Sequence, residues 1–304
     1  MEYESDFLVI GSGVAGLLFA LKVADHGRVI IITKRNIAES NTAYAQGGIA
    51  SVFAKTDSFA SHIADTQDSG DGICNEKVVE MVVKDAPARI QELIDLGVKF
   101  NRNRDGAPGT ADLHLDLCRE GGHSHNRIVH ADDLTGLAVE EALVDQVQRH
   151  KNITVFEDHI AIDLITRSTR LQRGMIVTTH EDYCYGAYVL NRHTTNIDTF
   201  CARTVMLATG GAGKVYTYTS NPDIATGDGI AMAYRTGATV ANLEFVQFHP
   251  TCLFHPEAKN FLISEAVRGD GGILVNAAGE RFMENYSPLQ ELACRDVVAR
   301  ALDA

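Results

Sequence analysis

A glycine-rich loop between two short apolar runs decides much about how this chain folds. The apolar run Phe7–Ile10 is followed at once by Gly11-Ser12-Gly13-Val14-Ala15-Gly16, then by a helix-like stretch and a second apolar run, Val29–Ile32. Continuous apolar runs of this length are typical of strands buried in a parallel sheet. The sequence therefore predicts a strand, a glycine turn, a helix and a second parallel strand, which together form one βαβ unit.

The three glycines of this loop predict a dinucleotide site. In such a pattern one glycine permits the tight turn, one lets the backbone approach a pyrophosphate, and one allows close packing of helix and strand. The N-terminus of the helix offers free N–H groups and the positive end of its dipole to phosphates. The second strand ends at Thr33-Lys34, without the carboxylate that commonly binds ribose hydroxyls, so these residues must serve another purpose. The alternative is a glycine-rich turn in an ordinary α/β domain.

Composition and charge exclude several classes of protein. The 304 residues suffice for one large domain or two moderate ones, and 45% of them are hydrophobic. The formal net charge of −13 argues against a nucleic-acid partner and against an anionic membrane surface. No apolar run approaches the ~20 residues of a membrane span, and the acidic N-terminus does not resemble a signal peptide. We therefore expect a cytoplasmic location. Because the cysteines lack CxxC spacing, we expect neither a metal site nor a disulfide framework.

The second half of the chain predicts an antiparallel meander. Its strand-length runs are Ile160–Leu164, Met175–Val177 and Tyr185–Leu190. The apolar run Thr204–Ala208 then leads into a second glycine loop, Thr209–Gly213. A βαβ start, a meander and a return strand are typical of a Rossmann-like, glutathione-reductase-type FAD domain, whereas an NAD domain would continue with more βα units.

The predicted domains are an FAD-binding domain over residues 1–241 and the incomplete start of an α+β capping domain over residues 242–304. A helix is predicted from Glu76 to Leu96, broken at Pro87 and ended by Gly97.

Four polar segments contain residues suited to chemistry. They are Leu117–His125, Glu244–Thr251, Ser264–Gly272 and Arg295-Asp296. Taken singly, each fits an ordinary role such as a polar loop, a satisfied histidine or a surface ion pair. Together they supply hydroxyl, imidazole and guanidinium donors suited to small carboxylates. His123 and His125 lack a third ligand nearby in the sequence, which argues against zinc.

At these residues the chain resembles the succinate dehydrogenase/fumarate reductase flavoprotein family. The similarity covers nearly the whole chain, with the motifs in the family's order. The motifs that carry it are Gly11–Gly16, Thr42–Gly48, Arg119–His125, Ala208–Gly211, Gly227–Gly229, Gln247–Pro250, Ser264–Gly272 and Arg295–Arg300. The resemblance implies an FAD domain interrupted by a capping domain, with the substrate bound between them.

The resemblance also implies an activity, because within the family the chain looks most like the members that oxidise L-aspartate. It implies that L-aspartate becomes iminoaspartate, that a hydride passes to flavin N5, and that oxygen or fumarate reoxidises the flavin. Iminoaspartate would go on to quinolinate synthase, on the route to NAD. Three alternatives stay open: a dicarboxylate dehydrogenase or fumarate reductase subunit, a non-catalytic flavin-binding fragment, and an NAD dehydrogenase, which the meander disfavours.

The resemblance assigns roles residue by residue. The cofactor-binding positions are Gly11, Ser12, Gly13, Val14, Ala15, Gly16, Lys34, Asn41, Thr42, Ala43, Tyr44, Ala45, Gln46, Gly47, Gly48, Ala161, Thr209, Gly210 and Asp228. Arg295 matches the catalytic arginine, which takes or gives the proton at the substrate carbon. His249, Ser264 and Glu265 are the expected contacts to the substrate, and Glu120 matches the residue that orients its ammonium group.

The chain departs from the family in two respects. Asn41 stands where family members with covalently bound flavin have histidine, and asparagine cannot form that bond, so we expect noncovalent FAD. The family also continues well past residue 304, with a second histidine and arginine for the substrate carboxylate. We therefore expect residues 1–304 alone to bind FAD weakly and to oxidise aspartate poorly or not at all.

Overall fold

The computed structural model describes residues 1–103, 114–167, 182–253, 255, 257 and 261–304. The chain forms two compact units: unit 1 contains Met1–Tyr44 and Val139–Phe245, and unit 2 contains Ala45–Ala138 and Val246–Ala304. Hydrophobic patterning gives no sign that residues 45–138 group with residues 246–304, because it reports local structure and not distant contacts. The predicted boundary between folding domains at residues 241–242 stays a prediction.

Both units contain strands and helices. The strands are β1 (Glu2–Ile10), β2 (Val29–Ile32), β3 (Ile49–Ala50), β4 (Leu117–Cys118), β5 (Ile128–Val129), β6 (Ile153–Phe156), β7 (His159–Thr166), β8 (Cys184–Asn191), β9 (Ile197–Leu207), β10 (Cys252–Leu253) and β11 (Phe261–Leu262). The helices are α1 (Val14–Val23), α2 (Phe59–Ser69), α3 (Glu76–Asp95), α4 (Thr135–Arg149), α5 (Asp228–Arg235), α6 (Ala266–Gly269) and α7 (Arg295–Asp303). Within the described ranges, none of the helices is both long and apolar enough to cross a membrane.

Unit 1 is built on a six-stranded mixed sheet with the strand order β6-β2-β1-β9-β8-β7. Strands β6, β2, β1 and β9 run parallel, and β7, β8 and β9 form an antiparallel meander. The predicted βαβ unit and meander are confirmed, and with them the α/β fold class of an FAD-binding domain. The predicted strand at Met175–Val177 lies outside the described residues.

The core of unit 1 explains why its first strands are apolar throughout. All four residues of β2 are buried, because α1 packs on the sheet and a cluster around Phe200 and Met232 includes Ile30 and Ile32. A strand covered on both sides gains nothing from polar alternation, so its sequence reads as a continuous apolar run.

Unit 2 contains a small antiparallel sheet, β3-β5-β4, an antiparallel pair of strands, β10 and β11, and the helices α2, α3, α6 and α7. The predicted break of α3 at Pro87 is wrong, because one continuous helix runs through that residue. Proline removes one hydrogen bond from the helix, but Val83, Ile90 and Leu93 are buried along the helix on both sides of it. This shared buried stripe holds both halves of the helix in place.

Candidate active site

The glycines of the first loop serve different purposes. Gly11 has φ +110°, and a Cβ there would lie 2.2 Å from the Ala208 carbonyl oxygen, so the backbone itself requires glycine. A Cβ on Gly16 would lie 2.1 Å from the Gly11 carbonyl oxygen, which shows how closely α1 packs on the end of β1. A Cβ on Gly13 would meet Thr42 Oγ1 at 3.3 Å as its nearest neighbour. A methyl group at Gly13 would thus require Thr42 Oγ1 to shift by a few tenths of an ångström, a much smaller conflict than at Gly11 or Gly16. A bound ligand is the better reason for glycine there.

A cavity of about 310 Å³ opens where β1, β2 and β9 end, at Ile10, Ile32 and Leu207. The carboxyl ends of parallel strands are the usual place for ligands in open α/β sheets. The predicted cofactor residues that line it are Gly11, Ser12, Gly13, Val14, Ala15, Lys34, Asn41, Thr42, Ala161, Thr209, Gly210 and Asp228.

The remaining predicted cofactor residues do not belong to this lining. Gly16, Ala43 and Tyr44 lie in unit 1 outside it, and Ala45, Gln46, Gly47 and Gly48 belong to unit 2. Conversely, the cavity is also lined by Glu39, Ser40 and His159, which were not among the predicted cofactor residues. Their signal is position: Glu39 and Ser40 directly precede Asn41, and His159 begins the strand that carries Ala161.

The start of α1 is suited to binding an anion. The helix begins at Val14, whose N–H donates to Thr42 Oγ1 at 3.0 Å, and its N-cap, Gly13, has no side chain to cap the following N–H groups. The first N–H groups of a helix have no acceptor within it, so they are free to bind phosphate oxygens. The buried Ser12 hydroxyl donates to Thr33 Oγ1 at 3.1 Å, so the hydroxyl at the end of β2 holds the glycine loop.

Lys34 has a similar supporting role. Its Nζ donates to Thr226 Oγ1 and to Asp228 Oδ2, each at 2.6 Å. Asp228 is the first residue of α5 and lines the cavity. A carboxylate from α5 thus lines the cavity near the end of β2, and Lys34 holds it in place. That Asp228 binds a ribose hydroxyl stays a prediction.

These residues fit a dinucleotide such as FAD. The glycine loop gives close access to the backbone, the helix N-terminus suits a pyrophosphate, and Asp228 offers a carboxylate. The buried Asn41 Oδ1 has no hydrogen-bond partner among the described residues, although Asn41 lines the cavity. A buried amide oxygen without a partner is costly, and a ligand donor would satisfy it.

Unit 2 contains a second polar cluster, centred on the buried Glu265, which is 4% exposed. Its Oε2 accepts from Arg295 Nε at 2.6 Å. Its Oε1 accepts from the Gly121 N–H at 3.2 Å and lies 3.2 Å from Arg268 Nη2. Both oxygens are therefore engaged by the protein. The predicted contact of Glu265 with the substrate stays a prediction, and the observed contacts give Glu265 a role in positioning Arg295.

Arg295 begins α7, as the sequence indicates, and its side chain is 34% exposed. Besides the ion pair with Glu265, its Nη1 donates to Gln247 Oε1 at 3.1 Å. Two sides of the planar guanidinium are thus held. Among the described residues Nη2 has no acceptor, so it is available to a ligand.

The positive charge of Arg295 affects the pKa of both Glu120 and His249. Burial, and then the negative charge of Glu265, raise the pKa of Glu120, while Arg295 opposes the shift. Burial, and then Arg295, lower the pKa of His249 to about 4, so this imidazole is neutral near pH 7. His249 Nδ1 accepts from the Thr251 N–H at 3.3 Å, which places the ring proton on Nε2. His249 therefore offers a neutral N–H donor.

The structure thus brings Glu120, His249, Glu265 and Arg295 into one cluster. A Cβ on Gly47 would lie 3.1 Å from Glu120 Oε1, so the loop containing Gly47 packs directly against that carboxyl group. The Ser264 hydroxyl accepts from the Ala266 N–H at 3.3 Å, which gives it a local role at the start of α6.

The cluster also contains Arg268 and Gln247, two residues that were not among the predicted site residues. Arg268 follows Glu265 by three residues, a spacing that brings side chains together on a helical turn. Gln247 precedes His249 by two residues and lies in the same Gln247–Pro250 motif, which is the signal that could have indicated it.

The family of FAD binding domains matches residues 6–304. The chain belongs to this family. Its cofactor is accordingly FAD. L-aspartate oxidases of Vibrio cholerae serotype O1 and Yersinia pestis are 51% and 52% identical to the chain over 302 residues, which make up 99% of the chain and 55% of each relative. The chain thus spans about half the length of the curated relatives it matches. An E. coli quinol fumarate reductase matches the fold with a TM-score of 0.86 and 31% identity, over 99% of this chain and 50% of that one.

Proposed function

We propose that the chain is the FAD-binding and substrate-binding part of an L-aspartate oxidase. The protein containing it would oxidise L-aspartate to iminoaspartate, with oxygen or fumarate as electron acceptor, in the first step of NAD biosynthesis. The names of relatives that are about 50% identical in sequence to this chain support the proposal. The arrangement of charges in unit 2 supports it independently.

The observation that carries the proposal is a partly buried carboxyl group, that of Glu120, beside an arginine and a neutral histidine. L-aspartate has two carboxylates and one ammonium group. The Arg295 guanidinium and the His249 Nε2–H can donate to a carboxylate, and Glu120 can accept from the ammonium group. Without that ammonium group the partly buried Glu120 would have no cationic ligand, which disfavours succinate.

The side chains of the cluster also suit the proton transfer that accompanies the oxidation. FAD supplies the two-electron acceptor for the hydride when it is bound. Arginine is a poor base because its guanidinium keeps its proton at ordinary pH. The Glu265 carboxylate, 2.6 Å from Arg295 Nε, can receive that proton. This transfer would let Arg295 take a proton from the substrate.

The second candidate is a dicarboxylate oxidoreductase of the fumarate reductase type. The likeness to the E. coli quinol fumarate reductase favours it. Glu120 distinguishes the two candidates, because a second carboxylate near the substrate is useful only when the substrate carries a positive charge.

The test joins residue 304 of this chain to the remaining residues of the V. cholerae relative, because the chain covers 55% of that protein. We expect this chimera, loaded with FAD, to form peroxide from L-aspartate and to act poorly on succinate. Turnover of succinate without turnover of aspartate would favour the second candidate. Absence of both activities in a folded, flavin-loaded chimera would contradict both candidates.

Arg295→Lys in the chimera tests the role of the arginine. Lysine keeps the charge but loses the planar fork of donors, so we expect kcat and kcat/KM to fall together. Arg300→Lys is the matched control, because Arg300 lies on the same helix, is 70% exposed and pairs with Asp296 one turn earlier. A rise in KM alone would restrict Arg295 to binding the substrate.

Two further expectations rest on the same proposal. Iminoaspartate would pass to quinolinate synthase, and the protein would act in the cytoplasm. Copurification and localisation of a tagged protein test them.

A further inference from the structure

Arg127 is fully buried and belongs to neither of the two ligand sites described above. Its Nε and Nη2 donate to the two carboxylate oxygens of Asp57, each at 2.9 Å. Its Nη1 donates to Asp65 Oδ2 at 2.7 Å. Two parallel bonds between a guanidinium and a carboxylate fix both position and orientation. Arg127 is thus held rigidly between two aspartates.

This ion-pair group holds one side of the loop between β4 and β5. The Ser124 N–H and hydroxyl donate to Asp65 Oδ2 at 2.9 and 2.8 Å. His125 Nδ1 lies 2.9 Å from Ser124 Oγ and 3.4 Å from Arg127 Nη2. The second half of the loop is therefore attached to the buried pair by several charged hydrogen bonds.

The first half of the same loop carries Glu120. The Glu120 carbonyl accepts from the His123 N–H at 3.3 Å, in a turn where Gly122 has φ +77°. The N–H groups of Gly121 and Gly122 donate to Glu265 Oε1 and to the Leu292 carbonyl, each at 3.2 Å. Glu120 thus lies in a short loop that is attached at both ends, so a shift at Ser124 would be transmitted to it.

We propose that Arg127, through Asp57, Asp65 and Ser124, is a positioning residue that fixes Glu120 and thereby sets the preference for a substrate with an ammonium group. The specificity part rests on the proposed function. The anchoring of the loop stands on the contacts alone. A purely structural ion pair would affect stability without changing which substrate is preferred.

The first test measures backbone hydrogen exchange in the 304-residue chain. Ser124→Ala removes the hydroxyl contacts of Ser124 with Asp65 and His125 but leaves the Ser124 N–H bond to Asp65 and the Arg127–Asp57 pair intact. We expect this weaker attachment to give faster exchange in the segment around Gly121 and Gly122. Ser5→Ala is the control for loss of a serine hydroxyl, because Ser5 lies in unit 1 on β1, where its hydroxyl donates to the Phe7 carbonyl at 3.0 Å. Unchanged exchange at Gly121 and Gly122 in folded Ser124→Ala would overturn the proposal.

The second test measures kcat/KM for L-aspartate and for succinate in the chimera. Loss of a hydrogen bond to a charged group corresponds to about a tenfold change, so we expect the preference for aspartate to fall about tenfold in Arg127→Lys. Ser124→Ala should change it in the same direction and remains informative if Arg127→Lys does not fold. FAD affinity should stay unchanged in both variants.

The outcomes test the specificity role of Arg127 and the anchoring of the loop separately. An unchanged substrate preference in folded variants would overturn the specificity role of Arg127. If the unsubstituted chimera itself shows no preference for aspartate, the proposed function fails and the specificity role fails with it. Faster exchange in Ser124→Ala would then still support the anchoring of the loop.

Discussion

Glu140 is a buried acid outside both ligand sites, so its effect on stability can be tested separately from substrate and cofactor binding. It lies on α4 with 0% exposure, and neither carboxyl oxygen has a hydrogen-bond partner of normal geometry among the described residues. Burial raises the pKa of Glu140 from 4.5 to about 7, and the Ser40 hydroxyl opposes the shift more weakly. The folded protein therefore keeps this proton at pH values where the unfolded chain has lost it.

The consequence for stability has a definite sign. Between pH 4.5 and about 7 the native state binds more protons than the unfolded state, so the free energy of unfolding falls as pH rises through this window. At 1.36 kcal/mol per pH unit, the full shift corresponds to about 3 kcal/mol. Glu140→Gln has nearly the same shape and carries no charge. We expect it to match the parent below pH 4.5 and to be more stable by up to ~3 kcal/mol above pH 7.

The assay is the melting temperature of the 304-residue chain between about pH 5 and about pH 8. A difference of this size corresponds to several degrees in Tm for a domain of this length. Glu141→Gln is the matched control, since Glu141 is the next residue of the same helix and is exposed. A gain in Tm for Glu140→Gln that does not grow with pH, or an equal gain in the control, would refute the reasoning.

Three further predictions follow from the cofactor site and the surface. Gly13→Ala should weaken FAD binding, measured by flavin fluorescence, with little effect on Tm. Gly11→Ala should destabilise the fold, because Gly11 has φ +110° and a backbone oxygen would lie 2.2 Å from the new Cβ. Equal losses of Tm in the two variants would contradict this difference. Bound FAD should remain in the supernatant after acid precipitation, because Asn41 cannot bond to it covalently; flavin in the pellet would contradict noncovalent binding. The 304-residue chain should self-associate, because unit 2 leaves large apolar side chains exposed, among them Phe248 at 56%, Phe261 at 56% and Leu289 at 62%; light scattering that shows a monomer at all concentrations would contradict this.

The elements that could be predicted from the sequence are those set by neighbouring residues. The apolar run Val29–Ile32 and the alternation in Ile160–Leu164 predict strands that the structure contains. Pro87 shows the limit of this approach, because the local preference for a break is outweighed by buried side chains on both sides of it. The grouping of residues 45–138 with residues 246–304 depends on distant contacts, which no local pattern reports.

The cofactor site shows the same limit in chemical terms. The sequence indicates that Thr33 and Lys34 replace the usual carboxylate, but it does not say how. The partner of Lys34 is Asp228, 194 residues further along the chain, and the partner of Thr33 is Ser12 in the glycine loop. Both residues act by holding another group in place, a role that becomes visible only when the hydrogen-bond partners are known.

Glu120 and Glu265 show why residue type alone cannot assign roles in the substrate cluster. Both are acidic, both are substantially buried, and the sequence places both at the substrate. The structure separates them by what their oxygens contact, since Glu265 is engaged by Arg295, Arg268 and the Gly121 N–H, whereas the pKa of Glu120 is raised by burial that nearby cations do not fully offset. A carboxylate whose charge is already compensated gains little from a ligand cation. One that is buried without full compensation gains much, so Glu120 is the residue that a substrate ammonium group would stabilise.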